Sequence, residues 1–297
     1  MAPSLSTAPV TEPNQAIQFN DVDHGDGGAT ATTRGVQVSL QKLPRPPTFS
    51  DKHEEREYLK GRLALAFRVF GRNGYDEGVA GHITLRDPVK PDHFWVNPFG
   101  MPFSHIRKSD LILVDHAGTV IDGGNNRLLN IAAFMIHSAI HEARPDVLCA
   151  AHSHSIYGRS FSTLGQEIDI STQDSCAFYK DHVVYKSQGV VLAKEEGHTI
   201  AKALGDRKAI ILQNHGILTV GQTIEGCIFW FNTLENCCRV QLLADAAATG
   251  RGIKVTVIDD EDAEFTYKSV GTPRAGWFSA LPAFALAGRE AGLEVYE

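Results

Sequence analysis

The sequence predicts an α/β fold in which an antiparallel or mixed sheet carries helices on its faces. Several segments repeat apolar residues at helical spacing, whereas others are short apolar runs of the kind that form strands. Many of these short runs are separated only by a few turn-forming residues, which favours antiparallel neighbours. Because no internal repeat interrupts the order of elements, we expect a single domain.

The first predicted helix lies in DKHEEREYLKGRLALAFRVFGRNG. Its apolar residues Leu59, Leu63 and Phe67 share one helical face. Asp51 can cap the start of this helix and Gly74 can end it. Short strand-like runs follow in GHITLRD, HFWVNPFG, LILVD and TVIDGG, each bounded by turn residues.

The second half of the chain alternates helices and strands less regularly. A helix is predicted in LLNIAAFMIHSAIHEARPD, with Asn130 as its cap and Pro145 as its stop. VLCAAHSHS has few side chains suited to solvent, which predicts a central strand. DHVVYKSQGVVLA follows, then a short helix in EEGHTIAKALG that Gly205 ends, then a strand, a tight turn and a strand in KAIILQNHGILTVG. A long helix ends at Gly250, and the tail to Glu297 is expected to be irregular.

Composition divides the chain into three parts. Residues 1–48 are rich in Ser, Thr, Pro, Gly and Asp, which predicts a disordered N-terminal arm. Residues 49–250 would form the domain, and residues 251–297 would be a C-terminal extension that packs on it.

Charge and cysteine usage exclude several classes of protein. The net charge of −7 argues against a nucleic-acid or membrane-surface partner. The nearly apolar run from Leu128 to Ile140 is too short to span a membrane. The five cysteines include no C-x-x-C pair, so neither a disulfide framework nor a cysteine zinc site is expected. No secretory signal is recognisable, and we expect a cytoplasmic protein.

CAAHSHSIYG places His152 and His154 two residues apart, so a strand would direct both side chains to one face. Two imidazoles in this arrangement can bind one ion, at about 2.0–2.1 Å per bond for zinc. His215 in LQNHGIL is the best third ligand, because Asn214 and Gly216 supply turn chemistry at the end of a sheet. The alternative is that the three histidines are unrelated polar residues.

Other residues offer weaker signals. His137 and His141 lie four apart on the second predicted helix, which is ligand spacing, although a buried histidine with hydrogen-bond partners is commoner. His82, His105 and His182 fall near predicted loops, where they could contact a substrate. The glycine turns of GVAGHIT and NPFG suit hairpins, or could offer backbone amides to a ligand oxygen.

Six stretches follow one another along the chain, in the order GHITLRDP, FWVNPFG, SDLILVD, ARPD…AAHSHS, ALGDRKAIILQNHGILTVG and FWFNTLENCCRVQLLA. Together they resemble the class II aldolase/adducin family over residues 55–250. The resemblance implies a single three-layer α/β/α domain around a mainly antiparallel sheet, in a homotetramer with active sites between subunits. It also implies that His152, His154 and His215 bind a catalytic Zn²⁺, with Mn²⁺, Fe²⁺ or Co²⁺ as alternatives.

The departures from the family pattern concern the substrate. In sugar-phosphate aldolases of the family, the helix before RPD starts with Ser-Ser-Glu, in which the serines hold phosphate and the glutamate is the catalytic base. Counting back from Arg144, the resemblance places Ile131, Ala132 and Ala133 at these positions. The usual Gly-Asn and Thr-Gly of the phosphate cup are Gly81–His82 and Phe99–Gly100 here. A phosphorylated sugar is therefore not the expected substrate.

The resemblance implies a metal-dependent carbon–carbon lyase or related enolate chemistry on a hydroxy-carbonyl or dicarbonyl small molecule. Aldol cleavage, decarboxylation, dehydration and epimerisation share this chemistry. Because Ala133 carries no carboxylate, another group must move protons. The segments that supply such groups in the family contain Asp174, Tyr179 and Glu195, and His82 is a further choice.

A non-catalytic scaffold is the alternative function, because adducin heads share this fold without known catalysis. Such a protein could retain the histidines as a structural metal site. Structural zinc sites usually have four protein ligands, whereas the expected fourth position here is an alanine. The open position favours the enzyme.

Overall fold

The computed structural model describes residues 44–186 and 193–297, together with the backbone of two short strands in the N-terminal arm. These strands, β1 (Thr30–Thr33) and β2 (Val36–Ser39), pair antiparallel where the composition predicts disorder. The other residues of the arm lie outside the described part of the chain, as do residues 187–192 of the run DHVVYKSQGVVLA.

A sheet of eight strands forms the centre of the described domain. The strands are β3 (His82–Arg86), β4 (His93–Val96), β5 (Ile112–Asp115), β6 (Val120–Gly123), β7 (Cys149–Ser153), β8 (His182–Tyr185), β9 (Ala209–Leu212) and β10 (Gly216–Gly221). Their order is β6-β5-β4-β3-β7-β10-β9-β8. Only β8 and β9 are parallel, because a helical crossover joins them, and every other neighbouring pair is antiparallel.

The sequence predicts four helices with starts close to those observed, but the described residues form seven. They are α1 (Lys52–Arg72), α2 (Ile131–Ala143), α3 (Ile156–Ser162), α4 (Ala193–Leu204), α5 (Ile224–Arg251), α6 (Asp260–Val270) and α7 (Pro273–Ala291). Asp51 caps α1 and Asn130 caps α2, as predicted. The long helix α5 continues past Gly250 and ends where Gly252 adopts the left-handed conformation.

Two helical layers cover the two faces of the sheet. On one face, α2 and α4 pack over alternate strand residues such as Ala150, Ile210 and Leu218. On the other face, α1 and α5 pack over the intervening residues, among them Ala151 and Ile217. The domain therefore has the predicted α/β/α layers around a mainly antiparallel sheet.

The C-terminal tail is helical, so the prediction of an irregular tail is wrong. α7 packs along α5 and α1 and buries Trp277 and Phe284. Trp230 of α5 lies so near the α7 backbone that a Cβ on Gly276 would be 2.4 Å from its ring. The tail forms helices through this packing, although its glycines and Pro282 are poor helix formers.

No helix among the described residues is both long and apolar enough to cross a membrane.

Candidate metal centre

The strand β7 directs successive side chains to opposite helical layers. His152 is buried and lies opposite Leu218, which places it on the face covered by α2 and α4. His154 follows the last strand residue, Ser153, and is half-buried. The predicted His-x-His pair therefore starts within the sheet and ends in the loop beyond it.

The turn between β9 and β10 carries His215. Asn214 in this turn has a φ of 59°, in the left-handed region that asparagine tolerates better than most residues. A Cβ on Gly216 would lie 2.7 Å from the carbonyl oxygen of Ser153. Only glycine lets the turn approach β7 this closely, so the Asn-His-Gly sequence brings His215 to the end of β7.

His152, His154 and His215 form one cluster, which we call the histidine trio. The ring centroids of His152 and His154 are 5.2 Å apart, and each lies 4.8 Å from that of His215. One ligand nitrogen from each residue lies within 4.8 Å of the other two. In residues 44–186 and 193–297, no fourth histidine, cysteine or acidic side chain joins this cluster.

The protonation of the trio suits a metal ion. His152 Nδ1 donates to the carbonyl oxygen of Ile217 at 2.9 Å, which leaves the lone pair of Nε2 for an ion. Burial holds the pKa of His152 well below its usual range and lowers the pKa of His215 to about 4. Burial, with a contribution from Arg159, also lowers the pKa of His154. Neutral imidazoles are the form that binds metals, so the donor set fits an ion with an open coordination position.

The serines that alternate with the histidines anchor this segment from its other side. Ser153 Oγ donates to the carbonyl oxygen of Tyr75 at 2.8 Å. Ser155 Oγ donates to Oε2 of Glu235, a buried residue of α5, at 2.5 Å. In the sequence His-Ser-His-Ser, the two histidines therefore belong to the trio, and the two serines bind the core of the domain.

His82 lies beside the trio, opposite His152 in the pair of β3 and β7. Its Nε2 is buried without a hydrogen-bond partner among the described residues. Together with Gly81 and Phe99 it lines a cavity of about 10 Å³, which has room for about one water molecule or ligand oxygen. Gly100 follows Phe99 and is exposed.

Ala133 stands in the first turn of α2, where Asn130 Oδ1 accepts its N–H at 3.3 Å. Burial and the neighbouring imidazoles hold the pKa of His82 well below its usual range, and the nearby Ala133 backbone acts in the opposite direction. The position at which the resemblance expects a catalytic carboxylate is therefore next to His82 and carries only a methyl group.

His137 and His141 form a separate chain of hydrogen bonds behind His82. Thr84 Oγ1 lies 2.8 Å from both Nδ1 of His137 and Nε2 of His141. Because His141 Nδ1 must donate to the carbonyl oxygen of Val147 at 3.3 Å, its Nε2 accepts the Thr84 proton. Thr84 then accepts from His137 Nδ1, and His137 Nε2 is left as a buried acceptor without a partner in the described chain. The ring of His137 is 3.9 Å from that of His82, between centroids.

The remaining predicted acid–base residues do not meet the trio within this chain. Tyr179 lines a separate cavity of about 380 Å³ beside Val220, at the end of β10 that lies away from His215. Asp174 is exposed just before a short 3-10 turn, and Glu195 is exposed in the first turn of α4.

Two buried polar residues of the site were not predicted, Thr84 and Glu235. Thr84 lies in an apolar strand and Glu235 lies on the apolar side of a long helix. A polar residue at a core position usually has a hydrogen-bond partner, and this is the signal that could have found both.

The sequence model of the family described as Class II Aldolase and Adducin N-terminal domain matches residues 61–242. The chain belongs to this family. A 4-hydroxy-3-prenylphenylpyruvate oxygenase/4-hydroxy-3-prenylbenzoate synthase of Streptomyces roseochromogenus subsp. oscitans is 47% identical, over 80% of this chain and 84% of that protein. Decarboxylase NovR of Streptomyces niveus is 46% identical, over 80% of this chain and 87% of NovR. The solved structure of L-fuculose 1-phosphate aldolase from Glaciozyma antarctica PI12 is 50% identical, with a TM-score of 0.79, over 85% of this chain and 97% of that one.

These relatives are consistent with lyase chemistry of the class II aldolase type, and they favour an enzyme with a small-molecule substrate. The family fold is generally metal-dependent, and the histidine trio supplies a matching ligand set. Alpha-adducin of Mus musculus is 31% identical and is matched over only 31% of its own length, so the scaffold alternative fits less well.

Proposed function

We propose that this chain is a metal-dependent carbon–carbon lyase that acts on non-phosphorylated hydroxy-carbonyl or dicarbonyl compounds, and that aromatic 2-oxo acids are its substrate class. The observation that carries the proposal is the histidine trio, which lies beside His82 and Ala133 and has no fourth ligand among the described residues. The relative from Streptomyces roseochromogenus is named a 4-hydroxy-3-prenylphenylpyruvate oxygenase, which supports an aromatic oxo acid, and the name decarboxylase for NovR supports cleavage of a carbon–carbon bond.

His152, His154 and His215 would hold the ion, and we propose Zn²⁺, with Mn²⁺, Fe²⁺ and Co²⁺ as the alternatives that metal analysis would distinguish. The bound ion would supply a Lewis acid that stabilises negative charge on substrate oxygens.

The residues around the trio would disfavour a phosphate. The cavity beside His82 measures about 10 Å³, enough for one oxygen but too small for a phosphoryl group. His82 Nε2 can hydrogen-bond that oxygen, because it is buried and unpartnered in the described structure. Ile131 and Ala132, both exposed, present apolar side chains where a phosphate would need donors.

We further propose a cytoplasmic homotetramer with its sites between subunits. In that assembly Asp174, Tyr179 and Glu195 would serve a neighbouring subunit's trio, because they do not contact the trio of their own chain. Light scattering gives the oligomeric state, and the variants Asp174→Asn, Tyr179→Phe and Glu195→Gln test each residue as a proton carrier.

Three substrates test the proposed reaction. Metal-loaded protein is incubated with 4-hydroxy-2-oxo-4-phenylbutanoate, with 4-hydroxyphenylpyruvate and with L-fuculose 1-phosphate, and products are identified by mass spectrometry. In the first compound the bond between carbons 3 and 4 would break, the hydroxyl proton would leave, and carbon 3 would gain a proton, which gives benzaldehyde and pyruvate. We expect turnover of an aromatic oxo acid by wild-type protein and none by His152→Ala.

Two results would overturn the proposal. Turnover of L-fuculose 1-phosphate alone would show that the substrate is phosphorylated. Metal binding without turnover of any compound, together with loss of assembly in His152→Ala, would support the scaffold alternative.

A further inference from the structure

We propose that Glu235 is a positioning residue for the metal centre, because it holds the backbone that follows His154. The inference rests on the metal centre of the proposed function and adds a residue that touches neither the trio nor the cavity beside His82. Glu235 lies on α5, a helix of 28 residues that crosses the core, and only 4% of it is exposed.

The Glu235 carboxylate accepts three hydrogen bonds from one short segment, residues 155–158. Oε1 accepts the N–H of Tyr157 at 2.9 Å, and Oε2 accepts the N–H of Gly158 at 2.6 Å. Oε2 also accepts the Ser155 hydroxyl at 2.5 Å. The first N–H groups of a helix have no partner inside the helix, and at α3 Glu235 supplies that partner from a distant part of the chain. Ser155 stands at the cap position of α3, but its hydroxyl does not cap the helix.

Close packing fits the segment to this carboxylate. A Cβ on Gly158 would lie 2.9 Å from Glu235 Oε2 and 2.9 Å from the Ile217 side chain. Any larger residue would therefore displace the carboxylate or the strand β10. The carbonyl oxygen of Ile217 is also the acceptor for His152 Nδ1, so two ligands of the trio depend on the same local packing.

His154 is the ligand that needs this support. Its backbone lies between Ser153, which is bound to Tyr75, and Ser155, which is bound to Glu235. No hydrogen bond of the described residues holds the half-buried imidazole of His154, whereas His152 is held by Ile217. The direction of the His154 side chain therefore depends on its backbone, and loss of the Glu235 carboxylate would release the backbone on one side.

Glu235→Gln tests the inference, with Glu225→Gln as its matched control. Glu225 lies on the same helix, is also 4% exposed and pairs with Arg62 at 2.6 Å, near the other end of the sheet. Both variants should lower the stability of the metal-free protein, because each removes a buried carboxylate from its partners. Only Glu235→Gln should lower the affinity for Zn²⁺, by about 10- to 100-fold in competition with a chromogenic chelator. Only Glu235→Gln should change the visible absorption spectrum of the Co²⁺-loaded protein.

The outcomes separate this inference from the proposed function. If wild-type protein binds no divalent metal at the trio, the metal centre itself is wrong. If wild type binds Zn²⁺ and Glu235→Gln binds it equally well, with the same Co²⁺ spectrum, the positioning role is wrong and the metal centre stands. If Glu235→Gln does not fold, Ser155→Ala removes a single bond to Glu235 and should still weaken Zn²⁺ binding several-fold, and unchanged binding would overturn the positioning role.

Discussion

His82 lies directly opposite His152 in the antiparallel pair of β3 and β7, and the centroids of their rings are 5.5 Å apart. Directly opposed side chains of neighbouring strands share one face of the sheet. His82, which the sequence places at a glycine turn, therefore lies at the metal centre because β3 and β7 pair in this register. Because the position expected to carry a carboxylate holds Ala133, His82 is a polar side chain that this chain offers at that point, beside Asn97 and Asn130 of the same cavity.

Replacing His82 by asparagine, the residue usual in the resembling aldolases, should separate metal binding from turnover. The histidine trio is untouched in His82→Asn, so we expect the same metal content as in wild type. We expect kcat for the accepted substrate to fall by about 10²- to 10⁴-fold, the range for loss of a side chain that handles a proton. His105→Asn, at an exposed histidine in the connection before β5, should leave both quantities unchanged. An unchanged kcat in His82→Asn would show that His82 does not move a proton in the reaction.

Thr84→Val should destabilise the fold more than an equally buried threonine elsewhere in the sheet. The substitution leaves Nδ1 of His137 and Nε2 of His141 without their shared partner. We expect a loss of about 2–4 kcal/mol in the free energy of unfolding, because each orphaned buried group costs about 1–3 kcal/mol. Thr219→Val is the control, since Thr219 is also fully buried, but its hydroxyl donates to the Cys227 carbonyl oxygen at 3.0 Å and otherwise meets only the Cys227 sulfur, at 3.9 Å, among the described residues. Urea unfolding measures both, and equal losses would contradict the shared role of Thr84.

Some of this site is predictable from sequence and some is not. The period of a strand places His152, and Asn-His-Gly predicts the turn that carries His215, because both rules are local. The contact between Ser155 and Glu235 joins residues 80 positions apart, and no local pattern identifies that partner. The sequence does not predict helix α7 for a related reason. Tertiary packing stabilises this helix, whose glycines and Pro282 are poor helix formers.

Acid should destabilise the protein through its buried histidines, of which His141 is a clear case. Burial, together with Arg86, lowers the pKa of His141 to about 3 in the folded protein. In the unfolded chain the pKa is about 6.5, so between these values the unfolded state binds a proton that the folded state does not. This contribution to stability is complete above about pH 6.5 and decreases as the pH falls, by up to about 1.4 kcal/mol per pH unit for one group.

Urea unfolding of chelator-treated protein across this pH range measures the effect without a bound metal. His141→Gln removes one titrating group, and it should reduce the slope of stability against pH by the contribution of one proton. Replacing the exposed His105 in the same way should leave the slope unchanged. A slope in His141→Gln equal to that of wild type would show that His141 is not the buried neutral group described here.

A glycine-to-alanine pair tests how tightly the C-terminal helices pack on the domain. Gly276 and Gly250 both lie within helices, where alanine is the better helix former by about 0.5–1 kcal/mol. A Cβ at Gly250 meets nothing within 4 Å, so Gly250→Ala should raise the melting temperature slightly. At Gly276 a Cβ would lie 2.4 Å from the ring of the buried Trp230. Overpacking there should cost about 1–3 kcal/mol and lower the melting temperature, and a rise in both variants would show that α7 does not pack closely against Trp230.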